Sequence, residues 1–110
     1  MHSDEPHVDE MTLSAVMAAL SDPIRVTIVR QLAAEGERTC GTFELGISKA
    51  TRSHHFRVLR EAGITHTRAE GTHRHVSLRR EDVDERFPGL LGAVLAAAER
   101  EAAALTAVPA

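Results

Sequence analysis

Residues 48–63, SKATRSHHFRVLREAG, carry the side chains whose types and spacing suit chemistry, and the chemistry is contact with a polyanion. Lys49, Arg52, His55, Arg57 and Arg60 recur along this stretch, while Ala50, Phe56, Leu59 and Ala62 fall near one helical stripe. The spacing therefore predicts a helix that packs on one side and offers cations on the other. Over residues 48–80 there are eight Lys/Arg against two acids, a net of +6, with five of the seven His. Residues 1–47 sum to −5 and residues 81–110 to −4, so a chain of net charge −3 concentrates its positive charge in one block. Such a block favours phosphate.

Other reactive groups are scattered. Cys40 is the single cysteine, so no intrachain disulfide can form, and a free thiol of this kind is either a small buried apolar residue or a thiol sensor. His2, Asp4, Glu5 and His7 are metal-ligand types, but they sit in a tail with no recognised ligand spacing; His73-x-His75 places two imidazoles on one strand face without a third ligand. No nucleophile–base spacing, glycine-rich phosphate loop or metal triad appears, so the chain is not expected to be an enzyme and no cofactor is expected.

The elements that must hold the basic stretch follow from punctuation. Ser48 is a helix N-cap and Gly63 suits a left-handed close. Upstream, Leu13, Val16, Met17 and Leu20 predict a first helix over residues 9–20 with one apolar face. Ser21-Asp22-Pro23 stops it and starts a second helix to about Glu35, whose Ile24, Val26, Ile28, Val29, Leu32 and Ala33 make it the central core helix. A short helix is expected around residues 40–45, and short helix, glycine turn and basic helix together form a helix-turn-helix. Residues 64–68 and 72–78 read as strands joined by Ala69-Glu70-Gly71, a hairpin wing in which Arg68, Thr72, His73 and Arg74, with His66 and His75 as further candidates, face phosphate or the minor groove. Residues 82–86 suggest one helical turn. A last helix over residues 90–105 follows, with Leu90, Leu91, Val94, Leu95, Ala98, Ala102 and Leu105 on its apolar stripe.

At 110 residues the chain reads as one domain, residues 9–105, between tails at 1–8 and 106–110. With three Phe and no Trp or Tyr its core must be aliphatic and thin, which favours burial of more surface in a dimer. The helices at 9–20 and 89–105 are the expected interface, through Leu13, Val16, Met17, Leu20, Leu90, Leu91, Val94, Leu95 and Ala98 across a two-fold axis. The acidic N-terminus lacks the pattern of a signal peptide and no apolar run approaches the ~20 residues of a membrane helix, so the expectation is a cytoplasmic protein without a membrane partner.

These segments resemble a family. ALSDPIRVTIVRQL (residues 19–32), SKATRSHHFRVLREAGI (48–64) and EGTHRHVSL (70–78) are similar to the ArsR/SmtB winged-helix repressors, over residues 11–95. The resemblance implies four helices, a hairpin and a final helix, mainly α with an α+β winged helix-turn-helix, dimerised through its first and last helices. It also implies binding to double-stranded DNA at inverted half-sites, with repression until an inducer releases the protein. Carried across, the family's base and phosphate contacts fall on Lys49, Ala50, Ser53 and His54, with Thr51 and Arg57 beside them. The chain departs at Arg52, where the family has an aliphatic residue, and at His75, where an aromatic is commoner. Metal-sensing members use paired thiols before the recognition helix or His and carboxylates on the last helix. Here Cys40 is alone and residues 90–105 hold no His, so neither set is complete and the effector is left open. The alternatives are a metal- or thiol-responsive sensor of the same fold, or a winged-helix module that binds an acidic protein.

Overall fold

The computed structural model describes residues 5–106. Its elements, in order, are a turn of 3-10 helix at Val8–Glu10, α1 (Leu13–Ala19), α2 (Pro23–Glu35), β1 (Arg38–Thr39), a 3-10 turn at Cys40–Thr42, α3 (Lys49–Ala62), β2 (Thr65–Glu70), β3 (His73–Leu78), α4 (Arg80–Arg86) and α5 (Leu90–Thr106). The strands form one antiparallel sheet in the order β1-β3-β2. This is a winged helix-turn-helix of the α+β class.

Local chemistry sets each boundary. The first helix begins later than its apolar period suggested, because Thr12 is extended and its hydroxyl accepts the Ala15 N–H at 3.2 Å. Asp22 caps α2 by accepting from the N–H groups of Ile24 and Arg25 at 2.8 and 3.2 Å, with Pro23 at the first helical position. The expected helix at residues 40–45 is reduced to the Cys40–Thr42 turn. It ends there because Phe43 is extended, at φ −83° and ψ 119°, and buries its ring in the core, while Arg38 and Thr39 just upstream pair with Val76 and His75. The hairpin pairs Glu70 with His73 across a two-residue loop, one residue later than expected, with Gly71 at φ 61° supplying the positive dihedral.

One core joins these pieces. Met11, Val16, Ile28, Val29, Leu32, Phe43, Phe56, Leu59, Ile64, Val76, Val83 and Leu91 are all at most 5% exposed. Phe43 and Phe56 meet edge-to-face with ring centres 5.1 Å apart, which anchors the turn before α3 to the helix itself. In α2, Ile28, Val29 and Leu32 are buried but Ala33 is exposed and Val26 only half-buried, so the helix buries one face, not most of its circumference. Val16 and Leu91, expected at a dimer interface, are 0% exposed within the single chain, and Ala98 is 9% exposed. The spare apolar surface is carried by Leu13, Met17 and Leu105 at 49, 55 and 77% exposure, with Leu20, Leu90, Val94 and Leu95 half-buried.

The N-terminal segment is not a loose tail from residue 5 onward. The Glu5 carboxylate accepts from His66 Nδ1 at 2.7 Å and from the Thr67 N–H at 3.1 Å on edge strand β2, and Arg79 donates to the Pro6 carbonyl at 2.8 Å. Edge amides need partners, and Glu5 supplies one. His2 and Asp4, the other candidate ligands of that segment, lie outside the described residues, as do residues 107–110 of the expected C-terminal tail.

Candidate nucleic-acid interface

Helix α3 is fastened at both ends and along one side. Ser48 Oγ accepts the Thr51 N–H at 3.2 Å and donates to Thr51 Oγ1 at 2.9 Å, ordering the first turn. At the other end Gly63, at φ 91°, lets its own N–H reach the Arg60 carbonyl at 3.0 Å and the Ile64 N–H reach Leu59 O at 3.0 Å. His55, Phe56, Leu59 and Ala62 are the inward side. That leaves Ser48, Lys49, Ala50, Thr51, Ser53, His54 and Arg57 exposed on the outer and N-terminal surface, where short polar groups and cations can meet base edges and phosphates.

Two residues move from where sequence spacing put them. His55 is not on the open face: it is 6% exposed, and Arg25 Nη1 donates to its Nδ1 at 3.1 Å. Arg25 Nε also donates to the Ala19 carbonyl at 2.7 Å, so this guanidinium ties the end of α1 to the middle of α3. The Asp22 carboxyl nearby loses hydration through burial, yet the Arg25 and Ile24 N–H groups, aided by His55 and Arg25, hold it below its ordinary value of 3.8. Ala50, expected on the apolar stripe, is exposed.

The cations divide by partner. Arg25, Arg30 and Arg38 are engaged within the helical body: Arg30 donates twice to Glu99 of α5, at 3.0 and 2.9 Å, and Arg38 bonds Gln31, Glu35 and Thr42 while lying 4.3 Å over the Phe43 ring. Arg79, Arg80 and Arg86 are committed to Asp82, Asp84 and the Met11 carbonyl. Arg68 of the wing, a predicted phosphate contact, is neutralised by Glu37 and Glu70, each at 2.9 Å. That pairing holds the Glu70 carboxyl below its ordinary value, chiefly through the Arg68 hydrogen bond. His75 lies between the same two carboxylates, at 4.0 and 3.7 Å, and its Nε2 is buried without a hydrogen bond among the described residues. By contrast Lys49, Arg52 and Arg74 have no hydrogen-bond or ion-pair partner among the described residues. They converge where the start of α3 meets the wing, beside the exposed Thr72 and His73.

A sequence model described as a helix-turn-helix domain matches residues 20–68, from the end of α1 through α3 and into the wing. The "uncharacterized HTH-type transcriptional regulator YceK" of Bacillus subtilis (strain 168) is 40% identical over 86 residues, spanning 76% of this chain and 86% of that protein. The chain belongs to the helix-turn-helix transcriptional regulators. The "cadmium resistance transcriptional regulatory protein CadC homolog" of Staphylococcus aureus is likewise 40% identical, over 77 residues, 68% of this chain and 64% of that protein. The regulator is thus a DNA-binding protein. Among the described residues no helix is long and apolar enough to cross a membrane, and no three His, Cys, Asp or Glu side chains cluster to hold a metal ion.

The Arg68 pairing was invisible in the sequence, because Glu37 lies 31 positions away and meets the wing only once β1 has joined β3. The Arg25–His55 contact had the same character. Only a His in register with the buried Phe56 and Leu59 hinted at it.

Proposed function

We propose that the regulator is a homodimeric repressor of the ArsR/SmtB type that binds an inverted-repeat operator. The observation that carries the reading is the set of cations without a partner among the described residues, Lys49, Arg52 and Arg74, gathered at the N-terminal half of α3 and the wing. Ser48, Lys49, Ala50, Thr51, Ser53, His54 and Arg57 would face the major groove. Thr72, His73 and Arg74 would follow the flanking backbone, and Arg68 would join them only on release from its two carboxylates. Leu13, Met17, Leu20, Leu90, Val94 and Leu95 supply exposed or half-buried apolar surface for a two-fold interface between α1 and α5 of two copies. Paired α3 helices then address half-sites one helical turn apart, about 34–36 Å.

Selection of bound duplexes from a random pool by the purified, reduced, chelator-treated protein tests this reading. Enrichment of an inverted repeat with half-site centres about 10–10.5 base pairs apart, or a multiple of that, is expected. Enrichment of a single half-site would remove the dimer, and no enrichment at any salt would remove the sequence-specific reading. Repeating the binding with Cd²⁺ and with diamide reads out whether release is coupled to a metal or to the Cys40 thiol.

A further inference from the structure

The cleft between α3, the Cys40–Thr42 turn and the wing has more than a phosphate seat requires. Its volume is about 400 Å³, inside the range of roughly 300–1,000 Å³ typical of small-molecule sites. Phe56, 5% exposed, and the half-buried Cys40 line its interior, while Lys49, Arg52 and Arg74 bring positive charge to it. Among the described residues no carboxylate lines it. Arg52 and Phe56 are one helical turn apart on α3, so the guanidinium and the ring share a face.

Three features point to an occupant. Arg52 is partly buried and has no anionic partner among the described residues, an arrangement whose desolvation cost a bound anion would offset. The positive field converges inside the cleft: burial pushes the Cys40 thiol up, and Arg74, Arg52 and Arg60 pull against that push. The interior is also in part apolar, which a DNA phosphate, having no apolar body, cannot use.

We propose that this cleft binds a small organic anion, with its acid group on Arg52 and Arg74 and its apolar body against Phe56 and Cys40. Such a ligand occupies cations that otherwise face DNA phosphates, so ligand and duplex compete. That consequence rests on the DNA-binding reading, whereas the binding itself does not.

The test is a titration of the DNA-free, ¹⁵N-labelled protein followed by its amide and arginine Nε signals, at constant ionic strength. The probes are benzoate and phenyl phosphate, with neutral benzamide and inorganic phosphate as controls. The expected result is saturable movement of the Cys40, Arg52, Phe56 and Arg74 signals with benzoate or phenyl phosphate, and at least about tenfold weaker binding, roughly 1.4 kcal/mol, of both controls, benzamide for want of the ionic contact and inorganic phosphate for want of the apolar body. Linear, unsaturating shifts with both organic anions would overturn the proposal. So would equal binding of benzamide, which would make the site merely apolar, or of inorganic phosphate, which would make it a bare phosphate seat. Cys40→Met, which fills the interior, should weaken the organic anion about tenfold and leave low-salt duplex binding unchanged; should that variant misfold, the wild-type isotherms alone decide. In a fluorescence-anisotropy assay with a labelled duplex, an anion concentration about ten times its wild-type Kd should weaken DNA binding about tenfold in wild type and only about twofold in Cys40→Met. A protein that binds the anion but no duplex would refute the DNA reading and leave the cleft assignment standing.

Discussion

Gly63→Ala tests how α3 is held at its C-terminal end, because two separate costs meet at that residue. Gly63 sits at φ 91°, ψ 7°, in the left-handed region, where a side chain costs about 1–2 kcal/mol. An added Cβ would also stand 2.8 Å from Met11 Cγ, 3.0 Å from Sδ and 3.1 Å from Cε. Met11 is 1% exposed, so it cannot swing into solvent and must repack, at the ~1–3 kcal/mol typical of overpacking. Together the two come to roughly 2–5 kcal/mol, a large share of the ~5–15 kcal/mol that holds a domain folded. A fall in Tm of at least about 8 °C follows for a domain of this size. The assay is urea and thermal unfolding read by helical circular dichroism, since the chain has no Trp or Tyr, at one protein concentration so that association contributes equally. Making the same change in a Met11→Ala background removes the steric part, so the two substitutions should fall short of additivity by about 1–3 kcal/mol. A cost below about 0.5 kcal/mol for Gly63→Ala, or an additive cycle, would refute the reasoning. DNA affinity measured well below the transition should not change, because Gly63 lies away from the exposed half of α3.

Other consequences can be checked in the same preparations. Ser48→Ala removes the cap that orders the first turn of α3 and should cost about 1 kcal/mol in unfolding, with weaker duplex binding because Lys49 and Arg52 ride on that turn; unchanged affinity would mean that the turn orders on DNA regardless. The double change Glu37→Gln, Glu70→Gln frees Arg68 from both carboxylates, and the slope of log K against log salt should steepen by about 0.9 if the released guanidinium reaches a phosphate. Met17→Glu places a charge on an exposed apolar position of α1 and should shift sedimentation toward the monomer while helical content stays constant; an unaltered dimer would locate the interface elsewhere. The Asp22 carboxyl, lowered in the folded state, contributes stability that is present above its ordinary value of 3.8 and is lost as pH falls through that value and the lower folded one. Urea midpoints followed from neutral pH into that range should therefore fall less steeply for Asp22→Asn than for wild type.

Much of the fold was legible because its signals are local. The Ser48 and Gly63 caps, the Asp22-Pro23 start and the glycine of the hairpin each act within a few residues, and those boundaries lie within a residue or two of expectation. The misplacements came from longer-range competition. The helix expected over residues 40–45 stops at Thr42, because Phe43 turns extended and buries its ring against Phe56, a partner 13 residues on. Val16 and Leu91 belong to stripes that also carry Met17 and Leu90, and only the packed monomer shows which members it has already buried. The N-terminal segment read as a tail, yet Glu5 finds the amide of Thr67 on the sheet edge, a partner that exists only after β2 has formed.

The site was legible in its charge and illegible in its pairing. Composition alone marks residues 48–80 as the cationic block, but a positive count does not say which cations are available to phosphate. A guanidinium already held by two carboxylates, as Arg68 is by Glu37 and Glu70, must exchange those contacts for a DNA phosphate, and the gain is the small difference between two ionic contacts. Among the described residues Lys49, Arg52 and Arg74 have no such partner to give up. On the proposed reading, the working face is therefore smaller than the +6 block suggests and lies where the start of α3 meets the tip-proximal part of β3. Substitutions there should weaken duplex binding far more than equal charge changes at Arg79 or Arg80, which Asp82 and Asp84 already neutralise.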